Sequence, residues 1–154
     1  TCALPIYQGL REYQVPVEYG RSEIIRKGKK IAVLGVGSMI PSCMEICKGL
    51  KDDGYDPTFV NARFVKPLDV DLLDELAKDH SLFVTVEENV KSGGYGEHVS
   101  AYMEACHPEI RVLSAAVWDR FVPQGNVESL RSRIGLGVED IRQAIEDSEE
   151  LREQ

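Results

Sequence analysis

Residues 31–50 read IAVLGVGSMIPSCMEICKGL, and the change of rhythm within them decides the fold. Ile31 to Val36 is a continuous apolar run, the pattern of a strand covered on both faces. From Gly37-Ser38 onward the apolar residues Ile40, Cys43, Met44, Cys47 and Leu50 recur at helical spacing and form one face. Pro41 is tolerated because it falls in the first turn, where its missing N–H costs no bond. Gly54 stops the helix. A doubly covered strand running straight into a helix is the unit from which parallel sheets are built.

Working outward, the same unit repeats. SEIIR (22–26) predicts a short first strand, and RKGKK (26–30) a turn into the strand at 31–36. PTFVNA (57–62) predicts the third strand. Asp69 is placed to cap a helix over VDLLDELAKDH (70–80). SLFVTVEE (81–88) is a strand. A helix over 97–106 turns Val99, Tyr102, Met103 and Cys106 inward, and IRVLSAA (110–116) is the last strand. Asn126 caps VESLRSRI (127–134), Gly135 ends it, and Val138, Ile141 and Ile145 mark a closing helix. A short turn cannot make a parallel crossover, so the first two strands are antiparallel if they pair. The expectation is a three-layer α/β/α domain with a mixed five-stranded sheet whose first strand is antiparallel. It occupies residues 22–147. An extended lead-in from an upstream domain (1–21) precedes it, and an acidic tail (148–154) follows.

Composition narrows the function classes. The chain of 154 residues is 43% hydrophobic and 29% charged, which suits a soluble globular domain. A net charge of −8 argues against general attraction to nucleic acid or an anionic membrane. No apolar run approaches the roughly 20 residues that span a bilayer. With no secretory signal, the expected compartment is the cytosol. Four cysteines form no disulfide framework: Cys43 and Cys47 share a helical stripe, while Cys2 and Cys106 stand alone. Zinc would need further ligands at suitable spacing, and His80, His98 and His107 supply none.

Four stretches invite a chemical reading. LGVGSM (34–39) has strand, glycines and helix start, but lacks the third glycine of a dinucleotide fingerprint and a P-loop lysine. It is either a phosphate-binding turn or a plain strand-to-helix turn. NARFVKPLD (61–69) sets Arg63 and Lys66 beyond a strand's C-terminal end, where ligands of open α/β sheets collect. They serve either an anion or a loop anchored by neighbouring acids. In VTVEENVKSGGYGEHV (84–99), Glu87 or Glu88 could be a general base if burial raised its pKa, but no nucleophile or metal-ligand spacing accompanies them. Phosphate is disfavoured there because Glu97 already occupies the positive first turn of the helix. VWDRFVPQGN (117–126) combines Trp118 and Phe121 with Asp119 and Arg120, a mixture typical of interface hot spots or of a loop covering the core.

Taken in order and with these gaps, NARFVKPLD, VTVEENVKSGGYGEHV and WDRFVPQGN resemble the C-terminal domain of the 1-deoxy-D-xylulose 5-phosphate synthases, a transketolase-like, thiamine-diphosphate-dependent family. The resemblance runs from about Val17 to Ile145. R-x-x-x-P-x-D alone also occurs in transketolases and in the β subunits of 2-oxoacid dehydrogenases, which are the alternatives within the same fold. A free-standing nucleotide- or anion-binding module is the alternative from another class. The resemblance implies an enzyme that condenses pyruvate with glyceraldehyde 3-phosphate for isoprenoid, thiamine and pyridoxal biosynthesis. It implies thiamine diphosphate and Mg²⁺, both held by preceding cofactor- and pyrimidine-binding domains, and a homodimer. No catalytic, cofactor or metal residue is expected on residues 1–154. The expected contributors to an interface or an active-site rim are Arg63, Lys66, Glu87, Glu88, Asn89, Gly93, Gly94, Gly96, Asp119, Arg120 and Phe121. Two departures stand out: ALPIY (3–7) where the family usually carries R-Y-P-R-G, and Trp118 where proline or a small residue is more usual.

Overall fold

The computed structural model describes residues 17–119, 121–122 and 124–148. ALPIY and Cys2 lie outside them. The elements follow in order: β1 (Glu23–Arg26), β2 (Lys30–Gly35), a 3₁₀ turn (Gly37–Met39), α1 (Ile40–Asp52), β3 (Thr58–Asn61), α2 (Val70–Ala77), β4 (His80–Val90), α3 (Tyr95–Cys106), β5 (Arg111–Val117), α4 (Val127–Arg133) and α5 (Val138–Glu146).

One sheet of order β1-β3-β2-β4-β5 runs through the middle, antiparallel only between β1 and β3. Alternate residues of the strands feed two cores, as the two-residue period of a strand requires. On one face Ile31, Val33, Val84 and Val86 meet Met39, Cys43, Ile46 and Leu50, together with Ile141 and Ile145 of α5. On the other, Ala32, Leu34, Val60 and Phe83 meet Leu73 and Leu76 of α2 and Tyr95, Val99 and Met103 of α3. The three layers and the mixed sheet are those expected from the sequence.

The partner of β1 was not legible. β1 pairs with β3, which lies between it and β2. The link Lys27–Lys29 therefore makes no hairpin. It passes beneath the start of β3, where the Lys29 N–H donates to the Asp56 carbonyl and the Gly28 N–H to the Thr58 hydroxyl (2.8 Å). Two inter-strand gaps of about 4.8 Å match the reach of three extended residues, roughly 10 Å. Only glycine fits at the crossing point: a β-carbon on Gly28 would stand 2.5 Å from the Pro57 carbonyl carbon.

Caps and stops follow the sequence closely. The Asp69 carboxylate accepts the Leu72 N–H, the Asn126 side chain accepts from Glu128 and Ser129, and Gly135 takes φ = 77° after α4. Removing the cap with Asn126→Ala is expected to cost about 1 kcal/mol, measured as a shift in the denaturant midpoint.

Three expectations shift. Helix α3 begins at Tyr95, two residues before Glu97. Cys106, expected inward, is exposed, because the last residue of α3 is rotated off the Val99–Met103 stripe. At the edges of the domain, Gly20 is buried against Pro67, the Ser22 N–H donates to Asp69 (2.7 Å), and Ser148 is buried. The last residues of the lead-in and the first of the tail are thus packed on the domain.

Candidate functional site

Strands β2 to β5 end on one side of the molecule, with Gly35 opposite both Asn61 and Val86, and Val86 opposite Ala115. β1 begins there, Glu23 opposite Asn61. The described residues of every stretch singled out in the sequence lie at this edge. The connection from β2 leaves over one face through α1, and that from β4 over the other through α3. The crevice between their ends is the topological switch point, where open α/β sheets take ligands.

The adjacent acids Glu87 and Glu88 part company here, because successive residues of a strand point to opposite faces. Glu87 goes to the α3 side and has no exposed surface. Its carboxylate accepts the backbone N–H of Tyr95 (2.9 Å), that of Gly96 (2.8 Å) and the Asn89 side-chain amide (3.2 Å). The first turn of α3 leaves N–H groups without intrahelical partners and carries partial positive charge. Glu87 answers both, which is why the helix starts at Tyr95. The glycines make room: a β-carbon on Gly94 would lie 2.7 Å from Glu87 Oε1, and one on Gly96 2.5 Å from Thr85 Oγ1. Gly93, with φ = 75°, turns the chain towards them, and its N–H donates to Glu97. The anion position of this turn is filled from within. Of the residues expected at an interface or an active-site rim, Glu87, Gly94 and Gly96 are buried within this chain.

Glu88 goes to the α1 side and remains partly exposed. It accepts from Arg131 Nε (2.7 Å) and from the Ser38 hydroxyl, so it joins the 3₁₀ turn, β4 and α4 across the crevice. Arg131 first and Ser38 second hold its carboxyl below the usual range. A depressed carboxyl pKa contributes stability that is complete above the unfolded value of about 4.3 and is lost as pH falls through the folded value. The pair is largely solvent-screened, so Glu88→Gln is expected to cost about 0.5 kcal/mol at pH 7. That difference should shrink below about pH 4, measured as paired melting curves. A difference that persists at pH 3 would show that charge is not its source.

The remaining candidates divide. Arg63 sits in the left-handed region (φ = 57°), its N–H on the Asn61 side chain (3.2 Å) and its guanidinium on Glu23 (2.7 Å). It fastens the connector to β1, the anchoring alternative raised by the sequence. Lys66 and Asn89 are exposed, and Lys66 precedes a cis peptide bond to Pro67. Asp119 is exposed, and Arg120 lies outside the described residues. Phe121 is 93% exposed and Trp118 57%, with the Lys91 ammonium 4.7 Å from the indole centroid. Val90 and Val127 add further exposed apolar surface.

Arg131 was missed by sequence reasoning, since nothing local distinguishes it from the other charges of α4. So was a cluster at the opposite edge, where Asp74 accepts from the Tyr102 hydroxyl (2.8 Å) and pairs with His107 Nε2 (2.7 Å). Among the described residues no group of three or more His, Cys, Asp or Glu side chains is arranged to hold a metal ion. Burial pushes the Cys43 and Cys47 thiols up to about 12, so both are protonated packing residues. No helix among the described residues is long and apolar enough to cross a membrane.

Residues 20–141 match the family described as "Transketolase, C-terminal domain". Among curated proteins, the chain is 39% identical over 136 residues to the 1-deoxy-D-xylulose-5-phosphate synthase of Lachnoclostridium phytofermentans, covering 88% of this chain and 22% of that protein. It is 39% identical to the protein of the same name from Dictyoglomus thermophilum (89% and 22%) and 40% identical to that from Nitrosomonas europaea (85% and 20%). The chain thus spans about a fifth of the length of these relatives. Among solved structures, "Split gene transketolase, inactive beta4 tetramer" superposes with a TM-score of 0.81 at 28% identity, over 90% of this chain and 44% of that one. The transketolase of Campylobacter jejuni shares the fold alone, with a TM-score of 0.54 at 14% identity over 84% of this chain and 19% of that one. Sheet order, the strand-end turns and the extent of the match together make this chain a member of the transketolase C-terminal domain family.

Proposed function

We propose that this chain is the C-terminal, non-catalytic domain of a 1-deoxy-D-xylulose-5-phosphate synthase. The observation that carries the reading is its match, over more than four-fifths of its length, to curated proteins of that name at 38–40% identity. In this reading the full protein condenses pyruvate with glyceraldehyde 3-phosphate and supplies isoprenoid, thiamine and pyridoxal biosynthesis in the cytosol. The domain supports a homodimer and docks on preceding domains through its strand-end loops, with Trp118, Phe121, Val90 and Val127 as the apolar part of that surface.

Thiamine diphosphate and Mg²⁺ do not fit the described residues. A diphosphate needs N–H donors at a helix start, and at α3 the Tyr95 and Gly96 amides are taken by Glu87. At the β2–α1 turn Ser38 is held by a second carboxylate, Glu88, which would repel it. In this reading the cofactor and metal are held by other parts of the longer protein. The same two carboxylates speak against a free-standing nucleotide module.

Two measurements test this. Titrating the isolated chain with thiamine diphosphate in a calorimeter is expected to give no saturable heat. Micromolar affinity, about 8 kcal/mol of binding free energy, would overturn the non-catalytic assignment. Fusing this chain to the preceding four-fifths of the Lachnoclostridium phytofermentans protein, in place of its own C-terminal domain, is expected to yield an active synthase. A chimera that assembles but turns over nothing would remove the synthase assignment and leave the family membership intact.

A further inference from the structure

Helix α4 is attached to the molecule differently from the other helices. It contains no buried residue, whereas α1, α2, α3 and α5 each place at least two in a core. Beneath it a cavity of about 480 Å³ separates Glu128, Arg131 and Ser132 from Pro41, Ser42 and Glu45 of α1. Among the described residues, one hydrogen bond joins Val127–Ile134 to another element, that from Arg131 to Glu88. At its C-terminal end Ile134 packs against the core beneath α1, and the chain then turns through Gly135, at φ = 77° and with open space where a β-carbon would stand, to buried Leu136, whose N–H donates back to the Arg131 carbonyl (2.8 Å).

We infer that α4 is a hinged strap and that the Glu88–Arg131 pair is the clasp that holds it shut over the switch-point crevice. Glu88 reaches Ser38 on one wall of the crevice and Arg131 on the strap. The contact that closes the strap therefore also bridges the opening in which sheets of this topology take ligands. The clasp is partly exposed, with side chains 36% and 22% accessible, so salt weakens it. The apolar contacts of α1, α3 and α5 are not screened in this way. The strap opens by peeling Val127–Arg133, which buries no residue, away from the domain while Ile134 and Leu136 stay on the core, a local opening of low free energy. Opening frees Glu88 Oε1, leaves Oε2 on the Ser38 hydroxyl, and admits solvent or a ligand to the crevice.

Native-state amide hydrogen exchange on this chain tests the inference at residue level. The Leu130 and Ile134 N–H groups, which close the turns of α4, are expected to exchange faster than those of α1 and α3. Glu88→Gln is expected to speed them about twofold, 1 M salt to act in the same direction, and the charge swap E88R/R131E to restore slow exchange. Rates at α1 and α3, which need the cores to open, should rise by no more than the same factor and stay far below those of α4. Unchanged exchange at α4 in Glu88→Gln would overturn the clasp. Exchange at Leu130 and Ile134 as slow as that of α1 and α3 would overturn the strap, because α4 would then open only with the whole domain.

Discussion

Glu87→Ala is expected to lower the stability of the domain by about 4 kcal/mol and its melting temperature by roughly 10 °C. The substitution leaves the Tyr95 and Gly96 amides facing an empty, buried position, since Glu87 is their acceptor and neither residue is open to solvent. Each unsatisfied buried donor costs about 1–3 kcal/mol, and the cavity left by the side chain adds to this. Asn89 is exposed, so water replaces the third bond. Glu87→Gln should fall between, because its carbonyl oxygen keeps one acceptor while its amide group opposes a donor. A chemical denaturation series on the three proteins decides it. A loss below 1 kcal/mol for the alanine variant would mean that the helix start does not depend on this carboxylate, and would reopen a chemical role for Glu87.

Gly28→Ala is expected to cost about 3 kcal/mol and to detach the edge strand rather than unfold the whole sheet. The added methyl group would overlap the Asp56 carbonyl oxygen and stand 2.6 Å from that of Pro57. Both belong to backbone at the start of β3, so neither can step aside as a flexible side chain does. The link must bow outward, which shortens its reach across β3 and strains the pairing of Glu23 with Asn61 and of Ile24 with Val60. Loss of protection at β1 amides, with β2 and β4 still protected, is the expected hydrogen-exchange pattern. Full protection of β1 in Gly28→Ala would show that the crossing tolerates a side chain.

The sequence carried the elements well because their signals are local. Strand β2 announces itself by an apolar run covered on both faces, α1 by its 3.6-residue stripe, and α2 and α4 by Asp69 and Asn126 at their starts. Periodicity also placed the candidate stretches at one edge, since parallel strands must end together. It could not assign roles within that edge. Glu87 and Glu88 are chemically identical neighbours, and only the pleat of β4 makes one a buried helix cap and the other a surface clasp. Arg63 read as serving either an anion or a loop anchored by neighbouring acids, and the acid that anchors it is Glu23, 40 positions earlier in the chain.

What the sequence by itself determined is therefore the α/β class, the order of helices and strands, most of their ends and the family, through motifs that survive as linear strings. The tertiary structure alone decided that β3 separates β1 from β2, that Glu87 is spent on α3, and that Arg131 closes the crevice over Glu88. The physical reason is range. Propensity, capping and periodicity act over a few residues and are written where they act. Strand insertion, burial of a charge and pairing across 43 positions depend on which distant segments the folded chain brings within a few ångströms of one another.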